Sequence, residues 1–422
     1  MNHTPHGPDH HYSAGVQLYE QAERVFDGLA PISTSTDVRT DLLVAKTHFE
    51  RALALQPTHA QAQRGVVLCQ LGLNDVYQAC LSGLAYMQMA PQDSAFAENF
   101  KDLQLRLMLE KALRPPPGFV PPKLEALPPP GPRDTWDVQA IAEISRVIPQ
   151  PLREMAAVLF HVDIGDKHPF LRGGDRDPAH SVDYLGSMSM ACRCARLTQP
   201  GIKVILVTDM DTKIDGFTDA DHVIRLPRNP LHLMYARIRA CNALVLSGRL
   251  AGPVIFLDTD LCLNRDFAPL FDGSFDVALT YRSSVRFPLM PINEGLMLGS
   301  QKRPHALAHF FKTCIDRYDW IAAQANVTAR YGFDVRFWRG GQLALAAFAG
   351  WRVPPNVAAD AEVNSLRCRF LNCESYNYSV PAEKVPPLQH IWALHFKGLL
   401  PKALMAQHTR TLEARQATAA QS

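Results

Sequence analysis

The sequence predicts an α/β unit preceded by a smaller all-α unit, and three observations point there. Residues 15–112 are helix formers whose apolar positions recur at helical spacing. Half of the positions between Pro115 and Pro132 are proline, which excludes regular helix and favours an extended, semi-rigid spacer. Beyond Trp136, short β-rich apolar runs alternate with helical stretches, the pattern of a mostly parallel sheet covered by helices. A length of 422 residues fits two or three domains. Hydrophobic residues at 47% and charged residues at 20% exclude a wholly disordered, collagen-like or disulfide-stapled chain. The expected segments are a disordered end at 1–14, a helical domain at 15–112, a linker at 113–134, the α/β domain at 135–407 and a tail at 408–422.

The opening MNHTPHGPDHHY carries His3, His6, His10 and His11 but lacks the basic flank and apolar run of a signal peptide or anchor. It is expected to be a mobile end without a metal role. In the helical region, Pro57 and Pro91 lie 34 residues apart, as do Ala45 and Ala79. With Phe49 and Ala52 ahead of Pro57, HFERALALQP resembles the second helix of a tetratricopeptide repeat (TPR). GLAYMQMAP is a degenerate copy in which Gly83 and Tyr86 replace the usual Phe and Ala. The alternative is an unrelated helical bundle with a coincidental spacing. The α/β region offers strands at 156–165, 203–210, 222–227, 253–261, 275–282 and 293–300, with helices at 182–197, 231–246, 305–323 and 341–349.

Charge narrows the partners. Lys+Arg 43 against Asp+Glu 41 leaves a net charge of +2 with no run of five or six like charges, so nucleic acid is not an expected partner. No apolar run approaches the ~18–20 residues a spanning helix needs, and no transmembrane segment is expected. Nine cysteines, an odd count without a CxxC pair, fit a reducing cytoplasm.

The chemistry is expected at Val254-Ile-Phe-Leu-Asp258-Thr-Asp260. The apolar run makes a strand buried on both faces, and the carboxylates follow at its C-terminal end, where open α/β sheets hold their ligands. In strand geometry residues two apart share a side, so Asp258 and Asp260 can share one cation. Hard oxygen ligands suit Mg²⁺ or Mn²⁺ with phosphate oxygens completing the shell. Two acids that merely cap a helix or solvate a loop are the structural alternative. His395 ends the apolar run HIWALHF ahead of Gly398, and its imidazole would tilt such a site towards Mn²⁺.

VIFLDTDLCLNRDFAPLF resembles the metal-binding segment of nucleotide-sugar glycosyltransferases of the GT-A fold, most nearly the family-8 group. Other segments resemble that family in the same order: the first strand with Asp163 near its end, Tyr235-Ala-Arg237, Ile292-Asn293-Glu294-Gly295, Tyr376-Asn377, and the closing stretch from His390 to Lys402. Two motifs depart from it. Gly341-Gln342 stands for an Asp-Gln pair, and Pro401-Lys402 reverses a Lys-Pro order. The resemblance implies a GT-A domain, a Rossmann-like mixed sheet, behind the TPR-like helices. It implies a Mn²⁺ or Mg²⁺ site at Asp258, Asp260 and His395. It also implies a nucleotide-diphosphate sugar donor, UDP-linked, held by Asp163, Arg237 or Arg239, Asn293, Gly398, and Lys402 or Lys397. Gln342 would sit beside the reacting carbon if configuration is retained, and Glu294 would contact the sugar or act as a base if it inverts. The acceptor would be a glycan or protein, recruited by the helical domain. Two other functions stay open: a catalytically weakened scaffold, and a sugar nucleotidyltransferase, for which Arg172-Gly-Gly-Asp-Arg176 is a poor phosphate loop.

Overall fold

The computed structural model describes residues 7–26, 35–163, 183–228, 233–303, 305–334, 339–381, 388–397 and 399–419. The chain opens with five helices, α1 (Pro8–Phe26), α2 (Ser35–Leu55), α3 (Ala60–Gly72), α4 (Val76–Met89) and α5 (Ser94–Leu113), each packed on the next. His59, Asp75 and Asp93 cap α3, α4 and α5 by accepting from the backbone N–H three residues on. Pro57 and Pro91 fall in the turns after α2 and α4, so the 34-residue spacing marks corresponding turns. The expected disordered end is corrected over residues 8–14, which begin α1. Tyr12 there lies 5.9 Å from the Phe49 ring and 4.9 Å from the His59 ring, giving the segment an apolar seat that a reading by composition misses.

The proline-rich stretch runs along the α/β unit. Leu124, on a 3-10 turn, is buried in the core beneath the sheet, and the Pro122 carbonyl accepts from Ser365 Oγ at 2.7 Å. Next come α6 (Thr135–Val147), β1 (Ala156–Phe160), α7 (Tyr184–Thr198), β2 (Lys203–Asp209), β3 (His222–Leu226) and α8 (Leu233–Leu246). Then follow β4 (Val254–Leu257), β5 (Leu261–Leu263), β6 (Val277–Tyr281), β7 (Ile292–Gly299), α9 (Ala306–Ala323), α10 (Ala325–Arg330) and α11 (Arg339–Phe348). The chain closes with β8 (Asp360–Val363), β9 (Leu366–Asn372), α12 (Cys373–Tyr376), β10 (Tyr378–Ser379), β11 (Ala393–His395) and α13 (Leu399–Ala419).

Among the described residues the main sheet has the order β3-β2-β1-β4-β7-β6-β9-β8. β3, β2, β1 and β4 are parallel, and β7 runs against both β4 and β6. A small sheet β10-β11-β5 stands beside it. Ala156 and Val158 of β1, with Val254 and Phe256 of β4, face the core under α8, α9 and α11. Ala157, Leu159, Ile255 and Leu257 face the core shared with α7, α13 and the small sheet. The fold is thus α/β on a mixed sheet behind an all-α region, as the sequence predicts.

Two further expectations change. The run 253–261 is two strands, because Asp258-Thr259-Asp260 turns out of the main sheet into the small one. The expected tail at 408–422 belongs through Ala419 to α13, where Leu412 and His408 are buried. The short strands β8, β9 and β10 lack the long apolar runs that reveal β1, β2 and β4, whereas β11 falls within HIWALHF. All nine cysteines are buried and unpaired. No helix among the described residues is long and apolar enough to cross a membrane.

Candidate metal centre

The C-terminal ends of β1, β2 and β4 open on one edge of the sheet, and Asp258 leaves β4 there. Its backbone N–H donates to the Gly295 carbonyl of β7 at 2.9 Å, while Phe396 N–H donates to the Asp260 carbonyl at 2.9 Å. The acidic turn is therefore fastened to the two strands that carry the other site residues. His395 Nε2 lies 3.1 Å from Asp260 Oδ1 and 3.5 Å from Asp258 Oδ2. Among the described residues these three form the one group of potential metal ligands whose donor atoms all lie within 4.8 Å of one another. The turn, rather than strand alternation, brings the carboxylates together.

The surroundings fit a divalent cation. Asn377 Nδ2 donates to Thr280 Oγ1 at 3.1 Å, which turns Asn377 Oδ1 towards His395 Nδ1 at 2.8 Å. Thr280 in turn donates to the Asn293 carbonyl at 2.8 Å. The proton consequently belongs on Nδ1, and the Nε2 lone pair faces the carboxylates, the outer-shell arrangement usual for a ligating histidine. Gly295 keeps this space open: a Cβ there would meet His395 Cε1 at 2.7 Å and Asp258 Oδ2 at 2.9 Å.

Arg237, expected on the diphosphate, is buried and engages the candidate site through Asp258. Its Nη1 donates to Asp258 Oδ1 at 2.5 Å and its Nη2 to the Glu294 carbonyl at 3.1 Å. Burial opposes its charge, but the Asp258 carboxylate leads the interactions that outweigh that penalty. Arg237 thus occupies one Asp258 oxygen and leaves the other towards His395. Arg239 is outside the site, bound to Asp134 and Asp137 at 2.7 Å each and lying over Trp136. Asn293 spends its side-chain oxygen on Gly295 N–H at 3.1 Å, so it shapes the strand around Gly295.

Glu294 is fully buried against Gly341, where any Cβ would collide with its carboxylate. Burial pushes its carboxyl up to about 8, Asp258 adding to the rise while Arg237 and Arg282 oppose it. Burial thus favours the protonated acid. Gln342 Oε1 accepts from Arg282 Nη2, and that guanidinium also donates to the Met290 carbonyl at 3.1 Å. Lys397 Nζ donates to Ser379 Oγ at 2.9 Å. Although the side chain opens to solvent, partial desolvation and Arg282 push the ammonium down, while Cys373, Asp258 and Asp260 pull it up. A cation therefore stands within electrostatic reach of the acidic pair.

Asp163 is exposed beyond β1, its backbone N–H donating to Thr212 Oγ1 at 2.9 Å. Lys402 lies on α13, whereas Gly398 and residues 172–176 fall outside the described residues. Sequence reasoning missed three contributors. Asn377 sets the imidazole, Arg282 holds Gln342, and Tyr184 has its phenol raised by burial and, second, by Asp260, which is near enough to act on it. The Tyr376-Asn377 pair was the only visible signal among them.

No protein-family model matches the sequence, and no curated protein matches it. Among solved structures the chain is similar to the apo form of the glycosyltransferase GlyE from Streptococcus pneumoniae TIGR4, at 13% identity and a TM-score of 0.37 over 64% of each chain. A second GlyE structure gives 13% identity and a TM-score of 0.38 over the same shares. An O-GlcNAc transferase variant from Thermobaculum terrenum aligns at 14% identity and a TM-score of 0.16, over 57% of this chain and 45% of that one. The chain thus spans less than two thirds of the length of the solved structures it matches. Likeness of this size assigns no residue role.

Proposed function

We propose that this chain is a metal-dependent glycosyltransferase of the GT-A type, transferring a sugar from a nucleotide-diphosphate donor, UDP-linked, to a glycan or protein acceptor. The observation that carries the reading is the convergence of Asp258, Asp260 and a tautomer-fixed His395 beside the C-terminal edge of a parallel sheet. In this reading Asp258 Oδ2, Asp260 and His395 Nε2 hold Mn²⁺ or Mg²⁺. A bound dication supplies stabilisation of the negative charge that builds on the departing diphosphate.

The chain's own residues prepare the rest. Arg237 aims Asp258 by occupying Oδ1. Lys397, or Lys402 on α13, adds a cation for the diphosphate, and Tyr184 and Asp163 flank the nucleotide. Gln342, oriented by Arg282, faces the sugar, consistent with transfer that retains configuration. Glu294 is buried and packed against Gly341, which leaves its carboxyl little access to an acceptor and weighs against the inverting alternative. The helices α1–α5 recruit the acceptor, with the tetratricopeptide likeness around Phe49 and Pro57 in support.

The test is titration calorimetry of UDP with and without Mn²⁺, followed by a panel of nucleotide sugars scored for divalent-dependent UDP release. Binding that requires the cation, and release from at least one UDP-sugar, are expected. A protein that binds no nucleotide with or without a divalent cation would end the proposal.

A further inference from the structure

Arg282 holds Gln342 within electrostatic reach of Glu294 and Lys397, both of which feel Asp258, but the segments that carry the pair are held from outside the α/β unit. The connection from β6 to β7 includes Val285, which is buried in the core of helices α1–α5. Arg106 of α5, fully buried, donates through Nη1 to the Pro288 carbonyl of the same connection at 3.2 Å. Its remaining donors reach Glu110 Oε1 at 2.6 Å and Asn74 Oδ1. Two residues past Pro288, the Met290 carbonyl accepts from Arg282, whose guanidinium lies 4.3 Å over the Phe287 ring. Arg339, the first residue of α11, donates through Nη2 to both oxygens of Asp102 on α5, at 2.8 and 3.1 Å. Gln342 follows it by one helical turn. Asp258, Asp260 and His395, by contrast, are held by Arg237, Gly295, Asn377 and Phe396 within the α/β unit.

We propose that α5 braces the Arg282–Gln342 pair, with Asp102 and Arg106 acting as positioning residues through Arg339 and the Pro288 carbonyl. The helical region is then part of the active site's framework, and its contribution is separable from metal binding. A side chain displaced by about 1 Å can cost ~10²-fold in rate, so two anchors on different segments give the brace leverage over turnover. Only the kinetic consequence rests on the glycosyltransferase reading.

The experiment uses the full chain and three substitutions, Asp102→Ala, Asp102→Glu and Arg106→Lys. Asp102→Ala should speed hydrogen exchange in residues 283–291 and 339–345 by about tenfold or more, as expected for a lost tertiary anchor. Mn²⁺ affinity should stay within about twofold, since the ligands keep their own outer shell. Divalent-dependent release of UDP should lose about tenfold or more in kcat with little change in KM, and Asp102→Glu should recover most of it. Arg106→Lys, which keeps one donor for Pro288, should affect 283–291 more than 339–345. Unchanged exchange in both segments, or a parallel fall in Mn²⁺ affinity, would overturn the brace. If the unsubstituted protein turns over no nucleotide sugar, the proposed function fails while the exchange comparison still decides the brace.

Discussion

At the scale of single residues, the hydrogen bond from His395 to Asn377 determines which ring nitrogen faces the carboxylates. Asn377→Ala should lower Mn²⁺ affinity by about 10- to 100-fold, because the imidazole loses the partner that sets its tautomer. Asn377→Asp keeps an acceptor at that position and should lose much less; equal losses in a calorimetric titration would show that Asn377 matters only to packing. His395→Ala should weaken binding strongly, whereas His390 is exposed and its substitution should leave binding unaltered. Asp258 and Asp260 were legible in the sequence because they are charged, adjacent and end an apolar run. His395 was legible for similar reasons. Arg237 is expected on the diphosphate because a guanidinium beside a metal site suits phosphate; the fold also brings it to Asp258 at 2.5 Å, a contact no local pattern announces. Arg282 and Tyr184 come from distant segments with no local pattern, so nothing in the chain order marks them.

At the scale of elements, β7 and α11 fit together through Glu294 and Gly341. A Cβ at position 341 would run into the Glu294 carboxylate, so Gly341→Ala should destabilise the protein on its own. Glu294→Ala vacates that space, and the double substitution should recover stability, giving a coupling of about 1–3 kcal/mol in urea denaturation. Simple additivity of the two losses would contradict the contact. This fit also explains why Gly341 stands where the resemblance leads one to expect an acid, since an aspartate there would meet a buried glutamate. Buried strands and long helices were readable because their apolar period repeats locally. The ends are hard to read because α1 and α13 owe their order to tertiary seats, Tyr12 against Phe49 and Leu412 in the core, while the first stretch is polar and histidine-rich and the second polar. The division of 253–261 is hidden for the opposite reason: only Asp258-Thr259-Asp260 separates the apolar residues of β4 from those of β5, and pairing with β11 takes the second into the small sheet.

At the scale of the whole molecule, two buried titrating groups press on stability with opposite sign. His408 on α13 has both ring nitrogens without a hydrogen-bond partner among the described residues, and burial, with Arg415 adding to it, pushes the imidazole down to about 4 from an ordinary 6.5. The unfolded chain therefore takes up that proton first, so stability falls as pH drops from 6.5 towards 4. Glu294, raised from 4.5 to about 8, does the reverse: the folded chain keeps its proton, and stability falls as pH rises from 4.5 towards 8. Each slope is about 1.4 kcal/mol per pH unit at its steepest. Between 4.5 and 6.5 the two contributions cancel, and above 6.5 only the Glu294 slope remains. Urea denaturation of the metal-free protein across this range should expose the balance. His408→Leu removes one arm, so that variant should lose stability steadily from the acid side to pH 8. Glu294→Gln removes the other and should gain stability as pH rises to 6.5, then level off. The double substitution should lack both slopes. Should His408→Leu keep the parent's profile between 4.5 and 6.5, the imidazole must find a hydrogen-bond partner in solution, and α13 would then sit less tightly over the sheet than its buried Met405 and Leu412 imply.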